Sequence, residues 1–131
     1  MSHWDEFDLE AKIIQILRTA KGYPHEHHFG SPFLTTYQLA IAFAQNYPED
    51  FRTITLPIGG EGVGQHNSLA QYLAGELSKR IKSGSITNIE GCFLSNQDLE
   101  QISFRNGDAI IISSLTDTQY PLSMYRLQET T

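Results

Sequence analysis

Beyond residue 84 the apolar side chains of this chain change period, and no other sequence feature restricts the fold as much. Leu69, Leu73, Leu77 and Ile81 recur every fourth residue, so they line one face of a helix, a stripe that Ala70, Tyr72 and Ala74 widen. Ser68-x-x-Gln71 has the pattern of a capping box at its start, and Ser83 with Gly84 marks its end. From residue 86 onward the apolar residues gather instead into short strand-like clusters at 86–94, 109–114 and 122–127. A chain that switches in this way folds as α+β, with three N-terminal helices followed by a small antiparallel β-sheet built from hairpins.

The first two helices are equally marked. Leu9, Ile13, Ile16 and Leu17 fall at i, i+4, i+7 and i+8, with Asp8 as a cap and Lys21 and Gly22 as the stop. Residues 1–10 carry four acids and no Lys or Arg, so residues 1–7 read as a flexible acidic arm or an acidic first helical turn. After a loop over 23–32, Thr35-x-x-Gln38 forms a capping box for a second helix that ends before Pro48. Its Tyr37, Leu39, Ala40, Ile41, Phe43, Ala44 and Tyr47 occupy most of the circumference, which places this helix at the centre of the domain.

Residues 51–58 alternate polar and apolar side chains and predict a short strand, held to an edge by Pro57. A helical turn is expected over 96–101. Asn106 and Gly107 both tolerate positive φ and predict a hairpin in which 102–105 pair with 108–112.

At 131 residues and 14.8 kDa the chain has the size of one domain, residues 1–131. Nine Lys and Arg against fifteen Asp and Glu give a formal charge of −6, which excludes a wholly basic surface for nucleic acid or anionic lipid. The single cysteine, Cys92, excludes an internal disulfide and a Cys-pair zinc site. The acidic start lacks the basic and apolar segments of a signal peptide, and no apolar run is long enough to span a bilayer. A cytoplasmic setting without a membrane partner is therefore expected.

Four constellations are candidates for function. Gly59, Gly60, Gly62 and Gly64 precede the third helix, where backbone amides can cradle a phosphate. Gln65 and His66 stand where a phosphate-binding loop needs Lys and Ser or Thr, and Glu61 repels an anion, so a flexible turn is the simpler account. His25 and His27 point the same way in an extended loop, a spacing that can grip zinc or copper, yet a third ligand must come from elsewhere. Cys92 between Gly91 and Phe93 reads as a small buried hydrophobe rather than a nucleophile, and no Ser sits in a nucleophile elbow. No catalytic set and no cofactor is expected.

The fourth constellation is basic. Lys79, Arg80 and Lys82 end the third helix, where cations suit the helix dipole and Glu76 stands four residues before Arg80. With Ser68, Gln71, Gly75 and Ser78, Lys79 and Lys82 form a polar face opposite the Leu stripe, able to touch a partner. Three helices followed by a hairpin sheet resemble the element order of winged-helix domains, in which the third helix reads DNA and the hairpin touches its backbone. The 47–67 connection is much longer than the turn of about three or four residues in a helix-turn-helix, and the net charge opposes DNA.

The expectation is thus a non-enzymatic binding or regulatory module, winged-helix-like, meeting a protein or nucleic-acid partner through Gln71, Ser78, Lys79, Arg80 and Lys82 and the C-terminal hairpin. The alternatives are a small-ligand or phosphate site on the glycine loop and an assembly subunit anchored by Trp4, Phe7 or Tyr125.

Overall fold

The computed structural model describes residues 2–20, 27–60, 68–113 and 122–128. Ahead of the first long helix stands a helical turn, α1 (His3–Glu6), whose N-cap Ser2 accepts a bond from the Asp5 N–H through its side chain. Residues 2–7 are therefore no solvated arm. Trp4 and Phe7 lie three apart on one side and are buried to 3% and 9% exposure, while Asp5 and Glu6 face water. Two aromatics burying about 150–250 Å² each outweigh the local excess of acid.

Helix α2 (Leu9–Arg18) buries the four residues of its stripe. Asp8 occupies its N-cap at φ 50° without a side-chain capping bond, and the stop expected at Lys21 and Gly22 lies outside the described residues. Strand β1 (Leu34–Thr35) comes next, between the first and second long helices, so strands and helices interleave instead of following as blocks. Helix α3 (Thr36–Asn46) carries the full capping box: Gln38 N–H donates to Thr35 Oγ1 at 3.2 Å and Thr35 N–H to Gln38 Oε1 at 2.8 Å. Leu39, Ala40 and Phe43 have no exposed surface, as a central helix requires.

The strand expected over 51–58 is instead helix α4 (Pro48–Ile54) followed by irregular chain. Pro48 sits in its first turn with Glu49 and Asp50, all favourable at a helix start, and Phe51 and Ile54 reach the core three residues apart. Thr55 at φ 60° ends it, and Asp50 pairs with Lys12 of α2 at 2.7 Å. Helix α5 (Leu69–Ser83) follows, capped by Ser68 at its start and by Gly84 at φ 83° at its end.

The remaining strands are β2 (Ile89–Leu94), β3 (Ser103–Asn106), β4 (Ala109–Ile112) and β5 (Leu122–Leu127). They make two units: an antiparallel sheet in the order β1-β5-β2 and a separate β3-β4 hairpin. The hairpin turn lies one residue later than expected, because Asn106 pairs with Ala109 and Gly107 takes positive φ, 62°, at the first central position. The hairpin is held to α3 by Phe104, stacked on Tyr37 at 5.1 Å, and to the chain before α5 by Gly60. Residues 96–101 hold a turn around Asp98 at φ 62° and no helix.

Candidate functional site

Helix α5 carries the basic cluster that the sequence singled out and packs beside β2, the strand of Gly91 and Cys92. Its Leu stripe is buried in the core, and Gly75, Ser78, Lys79 and Lys82 form an exposed strip along the opposite side. Two concavities flank this strip. One, of about 520 Å³, is lined by His3, Leu56, Gln71, Tyr72, Glu76 and Lys79; the other, of about 290 Å³, separates Ser78, Ile81 and Lys82 from Gly91 and Phe93 of β2.

The cations of α5 are not equivalent. Glu76 is 9% exposed and draws two of them: Lys79 Nζ lies 2.8 Å from Oε2, and the Arg80 guanidinium lies 3.8 Å from Oε1. Arg80 also covers the Trp4 ring at 4.7 Å, so it seals α1 against α5 and does not belong to the exposed strip. Lys82 has no ion pair among the described residues. Its ammonium group is the free charge of this surface.

Tyr72 completes the inner face of the first concavity. Its hydroxyl accepts the Trp4 N–H at 2.9 Å and donates to Glu76 Oε1 at 3.3 Å. Burial pushes the Tyr72 phenol above its usual pKa; the Trp4 bond opposes that shift and the neighbouring Glu76 charge adds to it. Tyr72, Glu76 and Arg80 stand four residues apart, so the i, i+4 spacing of this cluster is present in the sequence, whereas the part played by Trp4 and His3 is not.

The second concavity is shaped by a missing side chain. Gly91 pairs with Tyr125, and a Cβ on Gly91 would stand 2.9 Å from Tyr125 Cε1. The buried Tyr125 ring thus crosses β2 at Gly91 and directs its hydroxyl to the Ala74 carbonyl of α5 at 3.4 Å. Phe93, two residues on and on the same face, is 69% exposed at the edge of this groove. Cys92 is half-buried, and desolvation raises its thiol pKa, against the pull of Arg126 and with the push of Glu90.

The glycine loop is placed only in part. Gly62, Gly64, Gln65 and His66 lie outside the described residues. Gly59 and Gly60 take φ of 135° and 114°, and a Cβ on Gly60 would meet Ile111 and the Ile112 carbonyl at 2.9 Å, so these two glycines serve packing. The first amides of α5 are already engaged: Leu69 N–H donates to Pro57 O, Ala70 N–H to Ile58 O and Gln71 N–H to Ser68 Oγ. None of these three remains for an anion.

His25 lies outside the described residues, and His27 Nδ1 accepts the Phe29 N–H at 3.1 Å. Among the described residues no group of three or more His, Cys, Asp or Glu side chains is arranged to hold a metal ion. Trp4, Phe7 and Tyr125 are core residues, so among the described residues the exposed large apolar side chains are Phe29, Phe93, Leu94 and Ile110 instead. No described helix is long and apolar enough to cross a membrane. No protein-family model, curated protein or solved structure matches the chain.

Proposed function

We propose that this protein is a non-enzymatic binding or regulatory module with a winged-helix-like plan, which meets a macromolecular partner through α5 and the strands beside it. The observation that carries this reading is the exposed strip Gly75, Ser78, Lys79 and Lys82 beside the exposed Phe93 of β2, a polar helix face continuous with an apolar strand edge. The plan is supported by the placing of β1 between α2 and α3 and by the order β1-β5-β2, in which the strand after α5 joins the last strand. Helix α4 and the β3-β4 hairpin are then additions within two of the connections.

A protein partner is favoured over nucleic acid. Glu76 pairs with both Lys79 and Arg80 and cancels one of their two charges, which leaves Lys82 as the cation of α5 with no ion pair among the described residues, in a chain of formal charge −6. Nucleic-acid affinity grows with the number of phosphates neutralised, and one free lysine supplies little of it. Fluorescence anisotropy with duplex and single-stranded DNA across a salt series separates the classes: no binding at low salt is expected. Cross-linking to cellular proteins should in turn depend on the strip; partners that remain equally bound to Lys79→Ala/Lys82→Ala and Ser78→Arg variants refute the assigned face.

A further inference from the structure

We propose that the open edge of β2, beside α5, takes an extended peptide of a protein partner as an added strand, with an apolar side chain next to Phe93 and an acidic one facing Lys82. The proposal rests on the binding reading above and specifies its chemistry.

The register identifies which backbone groups are open. Gln128 N–H donates to Asn88 O at 2.8 Å, in line with the β2-β5 pairing that follows. Hydrogen-bonded and non-hydrogen-bonded pairs alternate in an antiparallel ladder, so Glu90, Cys92 and Leu94 bond to β5. Ile89, Gly91 and Phe93 then direct their N–H and C=O groups to the other side, where they have no hydrogen-bond partner among the described residues. Gly91 and Phe93 are exposed.

Edge strands are commonly blunted by Pro, Lys or a bulge. β2 has none of these: its six residues pair without interruption, and its one charged residue, Glu90, is spent on Arg126. An added strand would place alternate side chains over the groove between β2 and α5, which has room for about 290 Å³ and is lined by Gly91, Phe93 and Tyr125 on one side and by Ile81 and Lys82 on the other. An apolar side chain there covers Phe93 and Ile81. Its neighbour two residues away reaches Lys82, and a carboxylate satisfies that charge. A second copy of β2 fits less well, since the residues it would turn to the same face are Ile89, Gly91 and Phe93, none of them acidic.

The test uses the full chain and a displayed library of random eight-residue peptides. Enrichment of sequences with Asp or Glu two positions from an apolar residue is expected, with affinity about tenfold lower for Lys82→Glu, a loss of about 1.4 kcal/mol. Phe93→Pro should abolish binding that Phe93→Ala only weakens, because proline removes an outward N–H without touching the β5 ladder. Hydrogen exchange on the unmutated protein is the second readout. Gly91 and Phe93 amides should exchange freely alone and become protected with a selected peptide, while Glu90, Cys92 and Leu94 are protected in both states. No enrichment overturns the proposal. Protection confined to α5 overturns strand addition and leaves the binding reading standing, whereas peptides that perturb neither α5 nor β2 refute both. Protection that rises with protein concentration alone assigns the edge to a second copy and overturns the peptide.

Discussion

Replacing Gly91 by Ala tests how α5 is joined to the sheet. The added Cβ would stand 2.9 Å from Tyr125 Cε1 and 3.1 Å from Cδ1, against about 3.5–4.0 Å for relaxed carbon contacts. Tyr125 is 2% exposed and its hydroxyl is bonded to the Ala74 carbonyl, so a shift of the ring disturbs core packing or that bond. Overpacking of this kind costs about 1–3 kcal/mol, and removing a strand glycine returns about 0.5–1 kcal/mol, so the net loss runs from about 0 to about 2.5 kcal/mol. Gly75→Ala is the matched control. It lies mid-helix with nothing within 4 Å of its Cβ, and alanine there should gain about 0.8–1 kcal/mol. Urea unfolding followed through Trp4, the single tryptophan, reads both changes as shifts in midpoint at constant slope. A gain in Gly91→Ala equal to that in Gly75→Ala would refute the account of Tyr125 as the strut between β5 and α5.

Three more outcomes are expected. Trp4→Ala should cost about 3–5 kcal/mol, as for other buried large aromatics, where a solvated arm would lose nothing measurable in a urea titration followed by far-ultraviolet circular dichroism, which does not depend on the tryptophan. The raised pKa of Tyr72 means that its stabilising contribution is complete below the ordinary phenol value of 10.0 and is lost as pH rises through the higher folded value. Unfolding midpoints above pH 10 should therefore fall faster for the parent than for Tyr72→Phe, and parallel curves would contradict the buried hydroxyl. Finally, the raised thiol pKa of Cys92 predicts slower alkylation than a cysteine peptide at pH near 9, measured by mass spectrometry; an equal rate would show the thiol to be solvated.

The sequence by itself determined the elements whose signals are local. The stripes of α2 and α5, the Thr35–Gln38 box and the extent of β5 are set by side chains within a turn or two of each other, and all appear as read. Local reading failed where distant contacts decide. Residues 51–58 read as a strand from polar and apolar alternation with β-branched side chains, but the core takes Phe51 and Ile54 from one helical face behind Pro48. Residues 2–7 look solvated by charge, yet Trp4 finds Tyr72 and Arg80, which stand roughly seventy residues away.

The same division holds for the candidate site. Lys79, Arg80 and Lys82 were legible as a cluster because helical spacing is periodic, but their separation into paired and unpaired cations was not. It follows from the buried position of Glu76 and from the stacking of Arg80 on Trp4. The open edge of β2 is likewise a property of pairing: residues 86–94 predict a strand, of which 89–94 form one, and only the order β1-β5-β2 leaves one side of it without a neighbour among the described residues. Periodicity fixes which face a side chain takes within its own element, whereas exposure and charge pairing depend on what folds against that face.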